Sequence, residues 1–85
     1  MEQFSYVIKD ELGIHARPAG LLVKEVDSYS SSVIISVNGN QTPANKLFGI
    51  MSLGVEQGDE VVVTVEGEDE QVAVMALKDF FEQNL

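Results

Sequence analysis

The 85-residue sequence has no cysteine, no tryptophan, two prolines and a single histidine. Without cysteine there is neither a disulfide nor thiolate chemistry. One histidine with no cysteine offers little towards the clustered ligands of a metal site, so no metal is expected, and no cofactor either. "EGEDE" (residues 66 to 70) is rich in carboxylates but lacks the spacing of a calcium loop, and reads as a turn leading into a helix. No apolar run approaches the ~20 residues that cross a bilayer. "MEQFSYVIKD" shows no basic segment followed by an apolar one, so the sequence predicts no secretion signal, no membrane insertion and a cytoplasmic address. Bases are scarce too: five lysines and arginines stand against fourteen acids, a formal net charge of −9. Such a surface repels nucleic acid and anionic membranes at long range and favours either a partner with a basic docking face or basic residues near this protein's own site.

What is present is a folded-domain composition, 45% hydrophobic and 22% charged, without linker, repeat or low-complexity segment. The length suits one domain over residues 1 to 85, with a single core. "FSYVIK" alternates Phe4, Tyr6 and Ile8 with Ser5, Val7 and Lys9, as a strand does. From Ala16 to about Ser28 the period becomes helical. Ala19, Leu22, Val23 and Val26 form the buried stripe, and Arg17, Gly20, Leu21 and Lys24 the opposite face. Leu21 is apolar on the side that should meet water.

Val33, Ile35 and Val37 alternate ahead of Asn38-Gly39, the preferred pair for a two-residue hairpin turn. A short strand around Gln41 to Pro43 follows, placed at an edge by its proline. "LFGIMSLG" reads as one or two helical turns ended by Gly54. "EVVVTVEG" directs Val61, Val63 and Val65 inward. Glu68 to Asn84 reads as a helix with acids in its first turn, where the dipole favours them, and Ala73, Ala76, Leu77 and Phe80 on one face. The order β-α-β-β-α-β-α predicts an α+β fold: an open-faced β-sandwich, with three helices on one face of a four-stranded antiparallel sheet.

The histidine lies in "GIHARPAG", residues 13 to 20. A histidine at a helix start is most often a polar surface residue, but three neighbours give this one a use. His15 falls just before or at the first helical residue, where unpaired backbone N–H groups, including that of Ala16, converge and welcome an anion. A neutral imidazole there keeps one ring nitrogen free as a nucleophile. Arg17 can pair with phosphate oxygens, and Pro18 stiffens the first turn at little cost, since its missing N–H would be unpaired anyway. The arrangement describes a phosphoryl-accepting histidine. Serine catalysis is excluded for want of a base near a serine and of an acidic partner at recognisable spacing from His15. "DSYSSS" reads as a solvated loop.

These residues resemble the HPr family, the histidine-containing phosphocarriers of the bacterial phosphoenolpyruvate:sugar phosphotransferase system. "GIHARPAG" is similar to the family's active-site motif, and "MSLGVEQGDEV" and "EGEDEQ" match family segments in place, so the likeness runs end to end. It implies a carrier rather than an enzyme: His15 takes phosphate on Nδ1 from enzyme I, Arg17 steadies it, and a sugar-specific enzyme IIA receives it. It also implies docking through an apolar patch beside the histidine, here Gly20, Leu21, Lys24, Lys46, Leu47, Phe48 and Met51, with Ile50 and Leu53 in the core. A monomer is expected.

One position departs from the pattern. Where this chain has Lys46, Firmicute members carry a serine whose phosphorylation blocks transfer from enzyme I and recruits a catabolite control protein. Lysine cannot take that phosphate, and as a cation at a helix N-terminus it is unfavourable by roughly 0.3–1 kcal/mol; Asn45 is the candidate replacement cap. The expectation is a carrier without the serine switch. The alternative is a regulatory binding module, in carbon or nitrogen control, switched by phosphorylation of His15.

Overall fold

Val61, Val63 and Val65 are almost wholly buried along one strand, and the sheet is built around that strand. The computed structural model describes residues 1–85. Its elements run β1 (Glu2–Val7), α1 (Ala16–Asp27), β2 (Ser32–Val37), β3 (Asn40–Pro43), α2 (Leu47–Ser52), β4 (Glu60–Glu66) and α3 (Glu70–Asn84). The strands form one antiparallel sheet in the order β1-β4-β2-β3. β4 is central: Val63 lies opposite Phe4 of β1 and Ile35 of β2, so inward residues from three strands meet in one row.

The period of two decides which face each residue joins. Phe4, Val33, Ile35 and Val37 are buried with the β4 valines, while Ser5, Ser36 and Thr64 occupy the other face. That face remains open, and a hydrogen bond from Gln3 Nε2 to Thr64 Oγ1 (3.0 Å) crosses it. The inward face is covered by the three helices. The hairpin turn is as its sequence requires: Asn38 and Gly39 both have positive φ (51° and 83°), the conformation that matches strand twist.

Several expectations need correction. Ile8 is buried, but β1 ends at Val7; its amide donates to the Asp59 carbonyl (3.0 Å) and carries the chain out of the strand. α1 ends at Asp27 with Ser28 as its cap, in agreement with the helical period read from Ala16 to about Ser28. α3 begins at Glu70, not Glu68, because Asp69 caps the helix and turns its side chain elsewhere. Asp69 turns its carboxylate to the amides of Ser30 (2.9 Å) and Ser31 (3.0 Å) and to the Ser31 hydroxyl.

The core stripe of α3 is Ala73, Leu77 and Phe81, at intervals of four, whereas Ala76 and Phe80 are half-buried. Phe81 packs edge-on against Phe4 and Tyr6, with centroids 5.6 and 5.7 Å away. With Phe81 over the sheet, its neighbour is turned by one residue's rotation, about 100°, away from it. Tyr6 is half-buried beneath the same ring.

Asn45 does not cap α2. Lys46 is the capping residue, extended at φ −113° and ψ 102° and without a side-chain cap. Asn45 lies one residue too early, since a capping side chain must flank the first helical residue to reach the free amides. Ile50 is buried, and Leu53, the residue after α2, is half-buried against the core.

Candidate functional site

The approach to α1 is set by a turn at Asp10–Gly13. The Gly13 amide donates to the Asp10 carbonyl (2.9 Å), and Asp10 Oδ1 accepts the Leu12 amide (2.8 Å). Aspartate favours such turns because its side chain reaches the backbone two residues on. Gly13, at φ +65°, then brings Ile14 to the Val55 carbonyl (3.2 Å), and Ile14 is buried there. His15 follows as the N-cap of α1, at φ −92° and ψ 178°.

His15 caps with its backbone only. Its carbonyl accepts the Ala19 amide (3.0 Å), and its side chain makes no cap hydrogen bond. The imidazole, 37% exposed, is therefore available for other contacts. The amides of Ala16 and Arg17 have no acceptor in the chain, as the first turn of a helix dictates. Pro18 is buried, and Ala16 and Arg17 are exposed. No ion pair engages Arg17, or any of the four lysines.

His15, Arg17, Pro18 and Leu21 line one shallow depression together with Asp10 and Asn84. These last two were not candidates from the sequence. Asp10 Oδ2 lies 3.5 Å from His15 Nε2, so the imidazole does have an acidic neighbour, contrary to the reading of spacing alone. The "DELG" segment signals a turn; that the turn folds the carboxylate back onto the ring five residues later is decided by the anchoring of Ile14. Asn84 arrives from the far end of the chain with α3, and no local signal announces it.

The expected apolar patch is distributed over two helices that pack together. Leu21 (44%), Leu47 (38%) and Met51 (39%) are partly open, and Phe48 is 83% exposed. Gly20 is exposed with open space where a Cβ would stand. Lys24 lines a second depression with Leu21, Phe80 and Asn84. Lys46 lies exposed at the start of α2.

The model of the family described as "PTS HPr component phosphorylation site" matches residues 2–83. The chain belongs to the HPr family. It is 35% identical over 85 residues to the phosphocarrier protein HPr of Mycoplasma genitalium, covering 99% of this chain and 97% of that one. Among solved structures, HPr-C-His from Thermoanaerobacter tengcongensis is 40% identical with a TM-score of 0.91, covering 96% and 92% of the two chains. The Bacillus subtilis catabolite repression protein Crh, described as a swapped dimer, is 34% identical with a TM-score of 0.78, covering 100% and 98%. As a member of this family, the protein is a phosphocarrier of the phosphotransferase system and not an enzyme, and its open-faced sandwich is the fold of its relatives.

Proposed function

We propose that His15 accepts a phosphoryl group on Nδ1 from phosphorylated enzyme I and passes it to sugar-specific enzyme IIA proteins in sugar uptake. The supporting observation is the placement of His15 as an N-cap whose side chain takes no part in capping, beside the unengaged Arg17. The imidazole meets solvent while the helix start behind it presents free amides to an anion. In each transfer a nitrogen–phosphorus bond forms as the bond to the leaving group breaks. Charge passes onto phosphate oxygens that Arg17 and the Ala16 amide neutralise, with Pro18 fixing the turn that holds them. His15 is regenerated at the next transfer, so the protein is a substrate of the enzymes it serves.

Partners dock on Gly20, Leu21, Lys24, Lys46, Leu47, Phe48 and Met51. A rim of two lysines around exposed apolar side chains suits a partner that buries an apolar centre and carries acids at its edge. The protein works as a cytoplasmic monomer, binding neither nucleic acid nor membrane. The regulatory serine phosphorylation of Firmicute relatives is absent, because Lys46 has no hydroxyl and already places a cation where phosphoserine would place a dianion.

The alternative, a regulatory binding module switched at His15, draws support from the likeness to Crh. The two separate on one experiment. Enzyme I and phosphoenolpyruvate should add one acid-labile phosphate by intact mass, lost in His15→Ala, and an enzyme IIA should remove it. A folded protein that a cognate enzyme I leaves unlabelled ends the carrier reading. The serine kinase should leave the protein unlabelled; incorporation at Ser52 or a neighbour would overturn the loss of that switch.

A further inference from the structure

The carboxylate beside His15 has two separate engagements. Asp10 Oδ1 accepts the Leu12 amide at 2.8 Å and so belongs to the turn. Asp10 Oδ2 is left over, and it lies 3.5 Å from Nε2 of His15. The backbone of Asp10 is held on both sides as well: its amide donates to the Leu85 carbonyl oxygen (2.8 Å) and its carbonyl accepts the Gly13 amide (2.9 Å). The carboxylate is only 30% exposed, so its position is set by the fold rather than by a wandering side chain.

We infer that Asp10 is a positioning residue for His15, holding the imidazole in the Nε2–H tautomer so that the lone pair at Nδ1 is the one offered to phosphorus. The tautomer of a neutral imidazole is set by the partner of its other nitrogen, and a carboxylate accepts but does not donate. A carboxylate facing Nε2 therefore requires the proton there. The inference rests on the carrier role of His15 and assigns the ring's second nitrogen a function within it.

The step balances without moving that proton. The Nδ1 lone pair forms the new N–P bond as the donor's bond to phosphorus breaks, and the leaving group takes its electron pair. The ring gains positive charge, and the proton already on Nε2 stays. Asp10 then neutralises that charge on the edge of the ring away from the phosphate. At 3.5 Å the contact is longer than a formed N–H···O bond, and it shortens as the charge develops, as hydrogen bonds of resting sites commonly do. In the other tautomer Nδ1 would have to lose a proton before attack.

Asp10→Asn isolates this role. The Leu12 amide still needs an acceptor, so the carboxamide keeps its oxygen in the turn and presents its NH₂ to Nε2. A donor there favours an unprotonated Nε2 and a protonated Nδ1. The chain's one histidine gives a single imidazole pattern in long-range ¹H–¹⁵N spectra. On the alkaline plateau of the His15 titration, the Nε2–H to Nδ1–H ratio should fall about tenfold in Asp10→Asn, the order expected for a hydrogen bond to a charged group. Thermal stability should stay unchanged. Single-turnover phosphorylation by enzyme I should slow by about tenfold, as the ring loses the carboxylate that neutralises its developing charge.

An unchanged tautomer ratio in a folded Asp10→Asn protein overturns the inference, whatever the transfer rate does. A shifted ratio in a protein that enzyme I does not label supports the role of Asp10 and removes the carrier reading instead.

Discussion

Gly13 leaves no room for a side chain against Val55: a Cβ built on it would run into the Val55 carbonyl oxygen and the Glu56 Cα. The same carbonyl receives the Ile14 amide at 3.2 Å, so the backbone two residues before His15 lies directly on the segment that follows α2. Together with the φ of +65° at Gly13, this close approach fixes the direction from which the chain enters α1. Gly13→Ala should cost about 2–3 kcal/mol, combining left-handed strain with a contact that only backbone movement relieves. A lowered melting temperature, with slower phosphorylation of the protein that remains folded, would show that the turn aims His15.

Arg17 is exposed and carries no ion pair, so its removal should leave the fold alone. Arg17→Ala should keep its melting temperature and lose about 1.5–3 kcal/mol of transfer barrier stabilisation, the worth of hydrogen bonds to a charged group. Arg17→Lys should recover only part of this, because an ammonium lacks the planar fork that matches phosphate oxygens. Stopped-quench transfer from phosphorylated enzyme I measures both.

Phe48 separates docking from folding. At 83% exposure it contributes little to the core, so Phe48→Ala should change stability by less than about 0.5 kcal/mol. If the surface is a docking face, the same change should weaken enzyme I binding by about 1–2 kcal/mol in calorimetry. Phe81→Ala is the converse. Phe81 is buried against Phe4 and Tyr6, and its truncation should cost about 3–5 kcal/mol in denaturant unfolding.

Acid should remove a stabilising contact around Asp69. The hydrogen bonds from the Ser31 side chain and the Ser30 and Ser31 amides hold its carboxyl below the ordinary carboxylate range, against the opposing effect of desolvation. Glu70 is lowered too, by the Met1 ammonium and then the Gly67 amide. A carboxyl lowered in the folded state stabilises fully above its unfolded value, near pH 4, and that contribution is lost as pH falls through the folded value. The melting temperature should therefore fall below about pH 4, more gently in Asp69→Asn than in the unaltered protein. Parallel acid profiles of the two proteins would remove Asp69 from this role.

Local sequence dictated the type of each element and most of their inward faces. Alternation in β2 and β4, the Asn38-Gly39 turn and the helical period after Ala16 are local signals, arising from steric limits on neighbouring residues. Those are present before the chain is compact. The motif around His15 was legible for the same reason: the histidine, the arginine and the proline are within four residues of one another. Errors gathered where distant segments decide the outcome. The sequence pointed to Phe80, yet Phe81 enters the core, because packing over β1 and β4 selects the rotation of α3. Asp69 left the first turn of its own helix to bind Ser30 and Ser31, a choice available only once β2 is beside it. Asp10 came within 3.5 Å of His15 because Gly13 and Ile14 are anchored on Val55, more than forty positions away. Local sterics set what each segment becomes, and long-range packing sets which side chains meet.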